Sequence, residues 1–126
     1  MTMLRYAVAV AMLVHGFAHL PGVVTAWRLQ VLPDFPYHTV LLRGRLDVGD
    51  AGMRIMGALW LAAAVGFGIA SAAAFMGDAH WLPLACAAAL MSSAICALEW
   101  PLARVGFWVD IALLAVLVLA ARFSAT

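Results

Sequence analysis

Four stretches of mostly apolar residues, roughly 5–29, 51–76, 81–100 and 104–122, run through this chain with little between them. Each has about the 20-residue length that an α-helix needs to cross the hydrocarbon core of a bilayer. The 126 residues are 67% hydrophobic and 10% charged, where a soluble domain carries about 25% charged residues. Mean hydropathy is +1.07. These observations predict an all-α fold, an integral membrane four-helix bundle, formed as a single four-span domain over residues 1–126. The first stretch is long and contains His15 and His19 before Pro21. That differs from the short apolar region and small-residue cleavage site of a signal peptide, so it reads as a retained span. Pro21 and Gly22 interrupt it, a break that membrane helices tolerate when neighbours satisfy the freed carbonyl. Trp27 beyond them has the position of an interfacial anchor.

Ten of the thirteen charged side chains lie in two places, residues 28–54 and 99–110. Four antiparallel spans put both places on one side of the membrane. That side carries Arg28, Arg43, Arg45, Arg54 and Arg104, against Arg5 and Arg122 on the other. The excess of arginine points to cytoplasmic polar loops and external termini. The same side also carries Asp34, Asp47, Asp50, Glu99 and Asp110, which balance the arginines and predict a cluster of ion pairs. A net charge of +1 lacks the basic stripe of a nucleic-acid-binding protein, so nucleic acid is excluded as a partner. Cys86 and Cys96, ten residues apart on one expected helix, point about 280° apart and cannot bridge each other.

Small residues recur every four positions in the second span (Ala58, Ala62, Gly66, Ala70, Ala74) and in the third (Ala85, Ala89, Ser93, Ala97). That spacing predicts close helix packing, which replaces the hydrophobic effect as the cohesive force in lipid.

The residues able to carry chemistry are few. His15 and His19, four apart, project from one face of the first span near mid-membrane, where an ionisable side chain is a functional candidate by default. Three roles stay open for them: hydrogen bonds across the bundle, handling of a substrate or proton, or a share in a metal site that would need a third ligand. In the run from Arg43 to Arg54, Asp50 suits the N-cap of the second span, with Arg54 facing it one turn on. Arg45 and Asp47 are candidates for a bidentate pair closing the bundle mouth, or for orienting a polar group or water. Glu99 ends the third span and Asp110 lies nearly two turns into the fourth. Each needs a partner among Arg43, Arg45, Arg54 and Arg104, or must be protonated, which would make it a proton donor. Trp60, Phe67, Phe107 and Trp108 either wall an apolar pocket beside these groups or simply pack. The candidate catalytic set is therefore His15, His19, Arg45, Asp47, Glu99 and Asp110. Trp60, Phe67, Trp108, Arg43 and Arg54 are the candidate pocket residues, and no metal is assigned.

The sequence His15-Gly16-Phe17-Ala18-His19-Leu20-Pro21-Gly22, followed by Gly52-Met53-Arg54-Ile55-Met56-Gly57-Ala58-Leu59-Trp60-Leu61, resembles the DoxX-like family of small four-helix bacterial membrane proteins. The likeness covers roughly the first half of the chain. His19, Gly22, Gly52 and Gly57 are the positions matching the family pattern, while the long charged first loop departs from it. The resemblance implies a bacterial inner-membrane bundle tied to redox chemistry, in some members as a subunit of a quinone-linked oxidoreductase.

Two functions follow as expectations. In one, the bundle mouth binds or transforms a small lipophilic molecule such as a quinone or an isoprenoid-like compound. There is no intrinsic cofactor; a quinone is the candidate, and a redox version needs a protein partner because the chain has no flavin, nicotinamide or iron–sulfur motif. In the alternative, the chain is a non-enzymatic membrane subunit or scaffold whose ion-pair cluster docks a partner protein. Beyond the lipid bilayer, a homodimer is a further candidate assembly, since four spans would have to pair to enclose a transport pathway.

Overall fold

The computed structural model describes residues 2–124. The chain is helical apart from one small ribbon: α1 (Thr2–Phe17), α2 (Leu20–Ala26), β1 (Val40–Leu41), β2 (Leu46–Asp47), α3 (Gly49–Met76), α4 (Trp81–Leu98) and α5 (Arg104–Ser124). α1 and α2 form one broken column, so there are four columns in all. Each is long and apolar enough to cross a membrane.

The break has a local cause. Pro21 lacks an N–H, and its ring would collide with the carbonyl four residues back. The helix therefore tightens at Ala18 and His19: the His19 amide bonds Gly16 O at 3.1 Å instead of His15 O, and α2 restarts with Gly22 N on His19 O. The orphaned His15 carbonyl is satisfied by the His19 ring, whose Nδ1 lies 2.7 Å from it.

The columns pack in a row that curls. α3 is central, holding α1 and α2 on one side and α4 on the other, and α5 packs on α4. The core is split in two along the helix axes. One half gathers Met12, Phe67, Ala70, Ala85, Ala89 and Leu117. The other gathers Val23, Met53, Met56, Trp60, Ile95 and Cys96. Between them, on three of the columns, sit buried His15 and His19, Ser92 and Asp110.

The four-residue stripes do not hold to one face. In α3, Ala70 and Ala74 are buried but Ala58 and Ala62 are exposed; in α4, Ala85 and Ala89 are buried while Ser93 has rotated out and Ser92 is fully buried. A spacing of four drifts about 40° per step against a period of 3.6, so a contact face cannot be followed that way for five steps. Close approach rests on single glycines instead. Gly22 lies flat against the Trp60 indole, and a Cβ there would come within 2.4 Å of the ring. α3 ends at Gly77 with φ of 71°, the left-handed turn that releases the chain into the short connection to α4.

The polar first loop folds over the mouth of the bundle. Thr25 Oγ1 donates to Phe35 O at 2.7 Å, and β1 pairs antiparallel with β2. The ribbon, an element absent from the expected all-α fold, is tied to α4 by the Leu42 amide on Leu98 O at 2.9 Å. Asp50 is not the N-cap of α3. Val48 holds that position without a side-chain bond, and Asp47 Oδ1 accepts from the Gly49 amide at 3.0 Å. Asp50 instead meets the Tyr37 hydroxyl and, at 2.9 Å, Arg28 Nη2, whose guanidinium lies over the Tyr37 ring. This exposed clamp is the one Arg–carboxylate bridge among the described residues. The expected balanced cluster of ion pairs is otherwise not formed, because Arg43, Arg45, Arg54 and Arg104 sit at the surface where water competes for them.

Replacing Gly22 by Ala should destabilise the fold by about 1–3 kcal/mol, the usual cost of overpacking, because the added methyl would strike the body of the Trp60 indole. Gly68→Ala, which meets nothing within 4 Å, should leave the melting temperature in detergent nearly unchanged.

Candidate functional site

The buried polar layer forms one connected chain. His15 Nε2 lies 2.7 Å from Asp110 Oδ1, Ser92 Oγ lies 2.6 Å from Asp110 Oδ2, and His19 Nε2 lies 2.6 Å from the same Ser92 oxygen. Four elements contribute: α1, the turn after it, α4 and α5. Phe67 and Trp60 of α3 hold the rings from behind. Phe67 lies 5.1 Å from His15 and 5.4 Å from His19, and Trp60 lies 5.4 Å from His19.

Counting hydrogens decides the charge of this chain of groups. His19 Nδ1 must carry a proton, because its partner is a carbonyl. Ser92 has one hydrogen for two neighbours, Asp110 Oδ2 and His19 Nε2. If Asp110 were ionised and His19 neutral, one of those 2.6 Å contacts would set two lone pairs against each other. One further proton is therefore held in the chain. It sits on His19, which makes an imidazolium and a carboxylate, or on Asp110, which makes both neutral. Either way the net charge is zero, the state that burial favours.

His15 differs from His19 in a useful respect. With its Nε2–H given to Asp110, its Nδ1 is a lone-pair acceptor. That atom has no hydrogen-bond partner, and it is not among the sealed, unpaired polar atoms of the core. His15 also lines a cavity of about 320 Å³, together with His19, Phe35, Trp60, Cys96 and Val109, among others. A second groove, about 350 Å³ and lined by Leu4, Ala11, Ala112 and Val116, continues along α1 and α5, and it too has His15 and Val109 on its wall. α1 and α5 are not among the closely packed helix pairs, and both hollows have on their wall His15, whose bond to Asp110 joins these two helices.

A second histidine–carboxylate couple stands at the mouth. His38 Nδ1 donates to Pro36 O at 2.7 Å, and His38 Nε2 lies 2.6 Å from Glu99 Oε2. Burial pushes the Glu99 carboxyl above the usual carboxylate range, opposed by His38 and by the nearby Trp60 indole. Burial by itself would lower His38, but its bonds to Pro36 and Glu99 outweigh it, so its pKa is raised. The Trp60 approach is too poorly aligned to be a hydrogen bond, and Trp60 Nε1 and Glu99 Oε1 are both left buried and unpaired.

Of the residues singled out by sequence, His15, His19 and Asp110 come together, with Trp60 and Phe67 against them. Glu99 is separate, paired with His38 beyond Trp60. The carboxylates expected to find arginine found histidine instead. Arg45 and Asp47 lie exposed on the ribbon without pairing to each other, and Arg54 is exposed at the start of α3. Arg43 borders a shallow recess beside His38 and Glu99. Trp108 meets Phe107 edge-on and is exposed, and it is not among the residues lining the cavity. Among the described residues no group of three or more His, Cys, Asp or Glu is placed to hold a metal ion. Sequence reasoning passed over Ser92 and His38. A hydroxyl in the middle of an apolar span was the available signal for Ser92; for His38 the loop offered none.

Comparison of the chain with protein-family models, with characterised proteins and with solved structures gives no match.

The mouth couple makes a pH-linked contribution to stability. Both folded pKa values lie above their ordinary values of 4.5 for Glu99 and 6.5 for His38, so the folded state binds more protons. Stability from Glu99 is complete below pH 4.5 and from His38 below pH 6.5, and each is lost as the pH rises through the folded value. The melting temperature in detergent should fall above pH 6.5 more steeply for the wild type than for His38→Gln. At pH 6, His38→Ala should destabilise by about 1.5–3 kcal/mol through loss of a charge-assisted bond.

Proposed function

We propose that the protein is an integral membrane four-helix bundle that binds a small lipophilic molecule through a hydroxyl or carbonyl head, held in the cavity at His15. One observation carries this reading: a buried imidazole, fixed on one side by Asp110 and with its second nitrogen unpaired, lines a mostly apolar cavity. Such a hollow, with a few convergent polar groups, has the size and character of a small-molecule site. The four apolar columns support membrane insertion. In that setting the α1–α5 seam opens toward the acyl chains, so a lipophilic ligand reaches His15 without crossing water. The five arginines of the loop end against two at the other support a cytoplasmic mouth in a bacterial inner membrane.

A quinone or an isoprenoid-like compound fits this description, with its polar head near His15 and His19 and its chain in the groove beyond. In a quinone-linked role of the DoxX kind, electrons come from a partner protein. The alternative of a docking scaffold is favoured only if the cavity proves empty in the cell.

The test is to isolate the protein from its native membrane and identify retained lipophilic molecules by mass spectrometry. The wild type should carry one species in near-stoichiometric amount. Ala103→Phe, which fills the cavity, should lose it while keeping the melting profile. Arg45→Ala and Asp47→Ala, altered on the exposed ribbon, should retain it. A monodisperse wild type carrying only bulk lipid would rule the reading out.

A further inference from the structure

Proton transfer is the chemistry that this arrangement supports beyond binding. Resting on the ligand reading above, we infer that His15 takes a proton from the bound molecule and passes charge to Asp110, so the ligand is a weakly acidic hydroxyl compound such as a phenol, enol or quinol. Of the two placements of the shared proton, the step uses the one on His19, in which the site holds an imidazolium at His19, a carboxylate at Asp110 and a neutral His15 whose Nε2–H is given to Asp110 Oδ1. A ligand O–H placed on His15 Nδ1 gives that nitrogen its proton while the Nε2 proton moves 2.7 Å across to Asp110 Oδ1.

The balance closes. One ligand O–H bond and one N–H bond break; one N–H bond and one O–H bond form. No electron changes hands. Before the step the charges are His19 +1 and Asp110 −1, and afterwards they are His19 +1 and the ligand oxygen −1. The number of buried charges is unchanged, which avoids the penalty of ionising an acid in an apolar pocket next to a lone imidazole. The new oxyanion receives the hydrogen bond of His15 Nδ1–H and sits in a cavity that His19 also borders. Run backwards, the same step protonates an enolate or a phenolate. His15 is the catalytic residue here, and Asp110, Ser92 and His19 are positioning residues that set its tautomer and hold the compensating charge.

The groups facing this centre are few. α1 presents His15 and the turn after it His19; α4 presents Ser92 and the Cys96 thiol, close to Asp110; α5 presents Asp110; and α3 presents only Phe67 and Trp60. No arginine takes part in these contacts, so the imidazolium of His19 is the only cation able to balance the ligand anion there.

The experiment uses the full chain in lipid nanodiscs and a 2-alkyl-4-nitrophenol, whose ionised form has its own absorption band. The pH is set where the phenol in empty nanodiscs is mostly neutral. Wild type should bind the phenol and develop the phenolate band, and Asp110→Asn, whose amide cannot take the proton, should bind it with that band lost. In parallel, the ¹⁵N spectrum of histidine-labelled wild type should move His15 from the Nε2–H to the Nδ1–H tautomer on binding. A phenol bound wholly in its neutral form, or an equal band in Asp110→Asn, overturns the proton step and leaves the binding site standing. If no phenol binds at all, the ligand reading falls and this inference with it. Should Asp110→Asn fail to fold, the wild-type tautomer change decides alone.

Discussion

The bond between His15 and Asp110 is the polar tie between α1 and α5 among the described residues. α3 holds α1, α2 and α4 by ordinary packing of small and aromatic residues, but α5 touches only α4 closely, and its other flank faces the seam. In the proposed lipid setting, α5 without a polar bridge at mid-height would be free to close the seam or swing from it, since apolar surface gains little by burial when the solvent is itself apolar. A hydrogen bond between buried groups is directional and expensive to leave unmade. It can therefore hold two helices at a fixed separation with a cavity on either side, as packing alone cannot. The cavity and the bond that spans it are in this sense one feature.

The geometry of that bond depends on Pro21. By breaking the helix just above His15, the proline frees the His15 carbonyl and turns the next histidine so that its Nδ1 closes on it. His19 is then locked into presenting Nε2 to Ser92. In an unbroken helix His15 O would be used by the backbone, and His19 would have no reason to choose one tautomer over the other. A proline tolerated for its backbone cost is here the origin of the side-chain chemistry.

Much of the fold was legible from composition and length, because four apolar stretches of spanning length leave few arrangements in so short a chain. His15, His19 and Asp110 were also legible as costly placements in an apolar environment. Their partners were not. Electrostatic reasoning gave Asp110 an arginine partner or a proton, but Arg43, Arg45, Arg54 and Arg104 belong to loops and helix ends and lie exposed. At Asp110's depth the residues within reach are those of neighbouring helices, His15 and Ser92. Ser92 and Ser93 differ by one position, which on a helix is about 100° of rotation, and a four-residue stripe that drifts about 40° per step selects the wrong one. His38 meets Glu99 only because the ribbon and the Thr25–Phe35 bond fold the loop back over the mouth, a contact 61 residues apart that no local pattern encodes.

The two histidine–carboxylate couples share a design and differ in how wet they are. In each, Nδ1 is spent on a backbone carbonyl near a proline, Pro36 O for His38 and the carbonyl released by Pro21 for His19, which leaves Nε2 for an acid directly or through Ser92. Each couple has a net charge of zero whichever partner holds the proton, so each can lie in an apolar protein and still exchange a proton internally. Solvent decides which of them titrates. His38 is partly open, so the mouth couple follows the bulk pH. The inner couple is packed against Phe67 and Trp60, and His15 and His19 both border the cavity. In the proposed reading a molecule entering that cavity reaches this pair through His15, and an imidazole with an unpaired nitrogen beside an apolar hollow is what separates it from a buried pair that serves structure alone.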